Sequence, residues 1–145
     1  MSDKIYTSEC GTFSFTLPSE WEEYDSKQDD TYAFFNSKNW SGNLRITPLF
    51  MEFDDGIDAN SEMTNIVLDK ANKIANASVI NLGGYCTAHF IQETVEENDT
   101  TALYYWFIGH NNTMLICSFS PNDRFEQVGE EIKYVQNILS SLKIK

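Results

Sequence analysis

Cys86 and His89 stand three residues apart, and a thiol beside an imidazole is the simplest route in this chain to a nucleophile, the ring taking the thiol proton. The stretch Gly84 to Val95 that carries them alternates as a strand, however, so residues three apart point to opposite faces and the two are not a dyad. His89 and His110 are the only histidines, and no Gly-flanked serine or strand-to-helix elbow sits near either. Cys86 shares a face with Ala88 and Phe90, and Cys117 with Leu115 and Phe119, the setting of packing thiols. Cys10 is the third cysteine. No CxxC or HxxxH spacing occurs, which argues against zinc. Asp54, Asp55 and Asp58 surround Gly56 without the alternate ligand spacing or the closing glutamate of a calcium loop, so a turn at an acidic edge is expected. Gly83-Gly84 lacks the following lysine and helix of a phosphate-binding loop. No catalytic residue, metal site or cofactor is expected.

The elements that would have to position such groups read clearly in places. Ile5 to Thr7 and Thr12 to Leu17 form a hairpin around Cys10-Gly11, with Phe13, Phe15 and Leu17 on one face. Pro18 ends the second strand, and Trp21 is expected to fold back on the sheet as a lid. Thr31 to Asn36 and Asn43 to Phe53 make two more strands. From Asn60 to Ala77 the period turns helical, with Met63, Ile66, Val67, Ala71 and Ile74 on one stripe. Gly84 to Val95, Thr101 to His110 and Thr113 to Ser120 follow as three antiparallel strands, the last two joined by a tight Asn111-Asn112 turn. The middle one is apolar on both faces and is expected to be central and covered on both sides. A final helix, capped by Ser120 with Pro121 and Asp123 in its first turn, runs to the chain terminus. Its seam of Phe125, Val128, Ile132, Val135, Leu139 and Leu142 packs on the domain's own sheet in preference to a dimeric coil, so a monomer or weak homodimer is expected. The fold class is α+β, an antiparallel sheet of six to seven strands flanked by helices, in one domain over residues 1–145.

Charge is distributed unevenly. The formal net charge is −12. Residues 1–62 hold 13 Asp or Glu against four Lys or Arg, whereas residues 122–145 balance. Such a field repels phosphate backbones and anionic lipid, so neither nucleic acid nor membrane is an expected partner, while a basic protein is. The opening MSDKIYTSECG has no apolar run like a signal peptide, and no stretch of about 18 apolar residues occurs, so a cytoplasmic location with reduced thiols is expected.

Aromatic residues interleave with acids in the same half. Trp21, Tyr24 and Trp40 stand among Glu22, Glu23, Asp29 and Asp30, a pattern in which aromatic anchors ringed by charge concentrate binding energy. The run Gly11-Thr12-Phe13-Ser14-Phe15-Thr16-Leu17-Pro18-Ser19-Glu20-Trp21 resembles the opening strand and Pro-x-x-Trp corner of the PsbP-like superfamily, which includes Ran-binding import factors of the Mog type and bacterial families of unknown function. The resemblance implies an α/β/α sandwich used as a non-enzymatic binding module, and it carries over no functional residue. The expected function is binding of a basic protein through the acidic half, as in neutralising a toxin or effector. The alternative is a small-ligand carrier with an aromatic-lined pocket.

Overall fold

The structure, a computed structural model, describes residues 3–9, 11–24, 30–38, 42–96, 99–121 and 128–145. Its strands form two sheets. Strands β1 (Lys4–Thr7) and β2 (Phe13–Leu17) are the expected hairpin, and the short β10 (Lys143–Ile144) joins β2 on its other edge to make a three-stranded sheet. The remaining strands are β3 (Trp21–Glu23), β4 (Tyr32–Asn36), β5 (Gly42–Phe50), β6 (Ser78–Leu82), β7 (Tyr85–Glu96), β8 (Asp99–His110) and β9 (Thr113–Pro121). They make one antiparallel sheet in the order β3-β4-β5-β9-β8-β7-β6. Helix α1 (Ala59–Lys73) lies on one face, and α2 (Val128–Ser140) with the small sheet closes the other. The fold class is the expected α+β.

Alternation decides which side chains enter which core. On β2, Phe13, Phe15 and Leu17 are buried while Ser14 and Thr16 are half-buried, and the same period on β4 buries Tyr32 and Phe34. These rings meet around Tyr6, whose ring centroid lies 4.9 Å from that of Phe34 and 5.3 Å from that of Phe15. Trp21, Ile46, Trp106, Ile108, Cys117 and Phe119 of the large sheet and Val135, Leu139 and Leu142 from the C-terminal segment complete this core. The second core is smaller: Met63, Val67 and Ala71 of α1 on Ala88 and Met114 of the sheet. Gly109 lets α1 come close, since a Cβ there would stand 2.6 Å from Met63 Cγ.

Several boundaries differ from the sequence reading. Trp21 is not a lid over the sheet but a residue of its edge strand β3, aimed into the large core and 2% exposed. Asp58, not Asn60, begins the first helix: its carboxylate accepts from Asn60 N at 3.2 Å and from Ser61 Oγ at 2.8 Å. That helix stops at Lys73, and the strand β6 that follows was not anticipated. Ser120 and Pro121 do not cap the last helix; they end β9, paired with Asn43 and Gly42 of β5. Phe125 lies outside the described residues. The helix also ends before the terminus, because Lys143–Ile144 gains a partner in β2 that a longer helix would forgo. Ile144 N donates to Tyr85 Oη at 2.9 Å and Lys145 N to the Thr12 carbonyl at 2.9 Å. Strand β8 is interior as expected, between β9 and β7, although β9 holds the middle position of the seven.

Candidate functional site

Cys86 and His89 separate in space. Cys86 pairs with Gly109 and so faces α1, whereas His89 pairs with Trp106 on the opposite face. The His89 ring stacks on Trp106 at 4.8 Å, and its Nδ1 donates to the Tyr105 carbonyl at 2.8 Å, which makes it a packing residue. His110 stands edge-on to Tyr85 at 5.0 Å, on the face away from Cys86. Burial alone raises the Cys86 thiol above its ordinary range and raises the fully enclosed Cys117 much further, the reverse of the activation a nucleophile needs. Among the described residues no three His, Cys, Asp or Glu side chains gather as metal ligands. Asp54, Asp55 and Gly56 form the expected turn, closed by Ile57 N donating to the Asp54 carbonyl at 3.2 Å. A cleft of about 510 Å³ does open beside α1 at the end of the sheet, lined by Asn60, Thr64, Asn81, Tyr85, Cys86 and His110 among others.

The proposed acidic anchors also divide. Trp21 belongs to the core and offers no surface. Glu23 is exposed but points to the same face as Trp21, where its carboxylate accepts from Tyr6 Oη at 2.7 Å; burial first, and then that carboxylate, hold the phenol well above its ordinary range. Glu22 and Tyr24 point the other way. Asp30 is exposed. Asp29 and Trp40 lie outside the described residues.

Paired residues share a face, so the register runs a straight row across the strands: Tyr24, Ala33, Arg45, Ser118, Tyr105 and Phe90. Glu22, Phe35, Asn43 and Ser120 form the next row. Helix α1 packs over β6, β7 and β8. One helix is about 10 Å wide and spans roughly two strands, so it leaves most of a seven-stranded sheet uncovered. On this face, among the described residues, α1 does not extend over β3 and β4. The uncovered strands carry the ring pair Tyr24 with Phe35 at 4.6 Å, and at the margin of α1 the half-buried Tyr105 stacks on the buried Phe90 at 4.9 Å. Three strand spacings, about 14 Å, separate Phe35 from Tyr105, with Arg45 and Ser118 between them. Arg45 is exposed, and Tyr24, tied to Asn43 through its hydroxyl, is 37% exposed.

Phe35, Arg45 and Tyr105 were not singled out from sequence. Their signal was the outward set of each alternating strand, which becomes a surface only once the strand order is known.

Matching the chain against protein families decides its kinship: the model of a domain of unknown function, DUF3805, covers residues 1–145. The chain belongs to the DUF3805 family. No curated protein matches it. Among solved structures, this DUF3805 domain is similar to a crystal structure from Bacteroides thetaiotaomicron VPI-5482, with a TM-score of 0.76 and 21% identity over 100% of this chain. It spans 49% of that longer protein. It is also similar to the solution structure of cyanobacterial PsbP (CyanoP) from Synechocystis sp. PCC 6803, at a TM-score of 0.65 and 14% identity over 99% of this chain and 93% of the other. The PsbP-like fold expected from the opening strand is therefore the fold of this DUF3805 domain. No helix among its described residues is long and apolar enough to cross a membrane.

Proposed function

We propose that this DUF3805 domain is a non-enzymatic binding module that holds a basic protein against the open face of its large sheet. The row from Tyr24 through Arg45 to Tyr105 supports the reading. Its rings are held against neighbouring rings on the sheet and flank a polar strip of Asn43, Ser118 and Ser120, the composition that gives interfaces their anchors. The net charge of −12 favours a cationic partner by steering its approach, while the rings supply contact. Holding a basic toxin or effector inactive in the cytoplasm is the task proposed for it. Covalent capture of one and the same basic protein from both positions 35 and 105, and not from α2, tests the surface.

The cleft beside α1 favours a second reading, a small-ligand carrier. Its volume of about 510 Å³ suits a small metabolite, and Asn60, Asn81 and His110 offer polar contacts. A metabolite panel should then contain a compound that raises Tm in the intact protein and fails to do so in Asn81→Leu. A panel with no such compound counts against the carrier.

A further inference from the structure

The second edge of the large sheet is unfinished. Strand β6 ends at Ser78, opposite His89, but β7 continues to Glu96 and pairs with β8 along its whole length. From Phe90 to Glu96 the side of β7 away from β8 has no strand partner among the described residues. Seven residues span about 23 Å, enough for an added strand of ordinary length. The place such a strand would occupy, in line with β6, is a cleft of about 460 Å³ lined by Asn76, Ser78, His89, Phe90, Ile91 and Glu93. Ile91 is 45% exposed there and Glu93 is exposed. Backbone groups without a strand partner, an apolar side chain left in water and a cleft beside them thus coincide.

Charge selects the occupant. No Lys or Arg stands between Lys73 and Arg124, so β6 to β9 carry no Lys or Arg, whereas Glu93, Glu96, Glu97 and Asp99 fall within seven residues of sequence. A second copy laid edge to edge would set acid against acid with no cation to relieve it, the device by which sheet edges resist self-pairing. The same acids attract a strand that carries Lys or Arg. We infer that the open edge of β7, from Phe90 to Glu96, takes an extended segment of a partner protein that alternates basic and apolar residues, added to the sheet as an eighth strand. Main-chain hydrogen bonds hold such a segment, and its basic side chains share the face of Ile91 and Glu93, one opposite Glu93 and the next laying its aliphatic stem on Ile91, which sets its register. This site shares no exposed residue with the Tyr24-to-Tyr105 row, so the two stand or fall separately.

The probe is an acetylated nine-residue peptide of alternating lysine and valine, its binding to the intact protein followed by fluorescence anisotropy. An added strand presents the amides of every second residue to its neighbour. N-methylation of one alternate set should therefore weaken binding at least about tenfold and methylation of the other set should leave it nearly unchanged. Glu93→Lys should weaken binding about fivefold, and Glu52→Lys, at an exposed acid on another part of the surface, should not. Equal loss from both methylated sets, or equal loss from both charge reversals, would overturn the proposal in favour of diffuse attraction to an acidic surface. Equal binding of a glutamate-valine peptide would overturn it too, as would a concentration-dependent dimer in sedimentation that Glu93→Lys alters.

Discussion

Replacing Trp21 with alanine lowers the stability of the domain by about 3–5 kcal/mol, read as a fall in the urea midpoint with little change in slope. The side chain is 2% exposed and sits in the large core with Phe34, Leu44 and Phe119, so its removal leaves a cavity that the sheet edge cannot close. Glu22→Ala, one residue along the same strand, points to the open face and should move stability by no more than about 0.5 kcal/mol. The contrast is informative because neighbouring residues of a three-residue strand are given opposite roles. A Trp21→Ala protein as stable as the native one would return the indole to the surface and undo the packing described here.

The second large effect is expected at Gly83. Gly83 and Gly84 form the two-residue turn between β6 and β7, with φ of 65° and 94°, the left-handed values that a tight antiparallel hairpin requires. A Cβ on Gly84 would meet nothing within 4 Å, whereas one on Gly83 would stand 2.6 Å from the backbone carbonyl oxygen of Ser140 at the end of α2. Gly84→Ala should therefore cost only the backbone strain, about 1 kcal/mol. Gly83→Ala adds a clash with main chain that cannot rotate away, and about 3 kcal/mol is expected in thermal or urea unfolding. The difference between these adjacent substitutions measures how tightly the β6-β7 turn is held against the last helix. Equal losses would mean that α2 does not rest there.

That turn also shows where the fold was legible in the sequence and where it was not. Gly83-Gly84 is weighed in the sequence only as a phosphate-binding loop, yet two glycines with apolar residues on either side are also a hairpin signal, and β6 lies just before them at Ser78–Leu82. The helical period through Ile74 and Ala77 concealed it, since one apolar stripe serves either element at so short a length. Ser120 and Pro121 misled for a related reason. They have the residue types of a helix cap, but β5 offers a long partner strand, and Pro121 at the end of β9 needs no ladder amide. By contrast, the hairpins β1-β2 and β8-β9 follow from short turns between apolar runs, and the buried face of β2 follows from alternation, because a half-buried strand can be satisfied in only one phase.

The candidate surface was less legible. Glu22 and Tyr24 were picked out by the company of aromatics and acids, and the structure keeps them on the open face. It assigns Trp21 to the core and points Glu23 to Tyr6, a parity that two-residue alternation would have given had β3 been recognised as a strand. Phe35, Arg45 and Tyr105 come from three separate strands, and only the order β4-β5-β9-β8 places them side by side. Sequence spacing contains no trace of that adjacency. The incomplete cover, in contrast, follows from counting: a single helix lies between β5 and β6, and it cannot roof a sheet of seven strands.

Site-specific photocrosslinking in the intact protein tests the proposed recognition most directly. A benzophenone amino acid placed at Phe35, at Tyr105 or at Tyr134, which is 56% exposed on α2, should yield the same covalently captured basic protein from the first two positions and none from the third. Adducts from Tyr134 equal to those from Phe35 and Tyr105, or none from either sheet position, would contradict the assignment of the open sheet face as the binding surface.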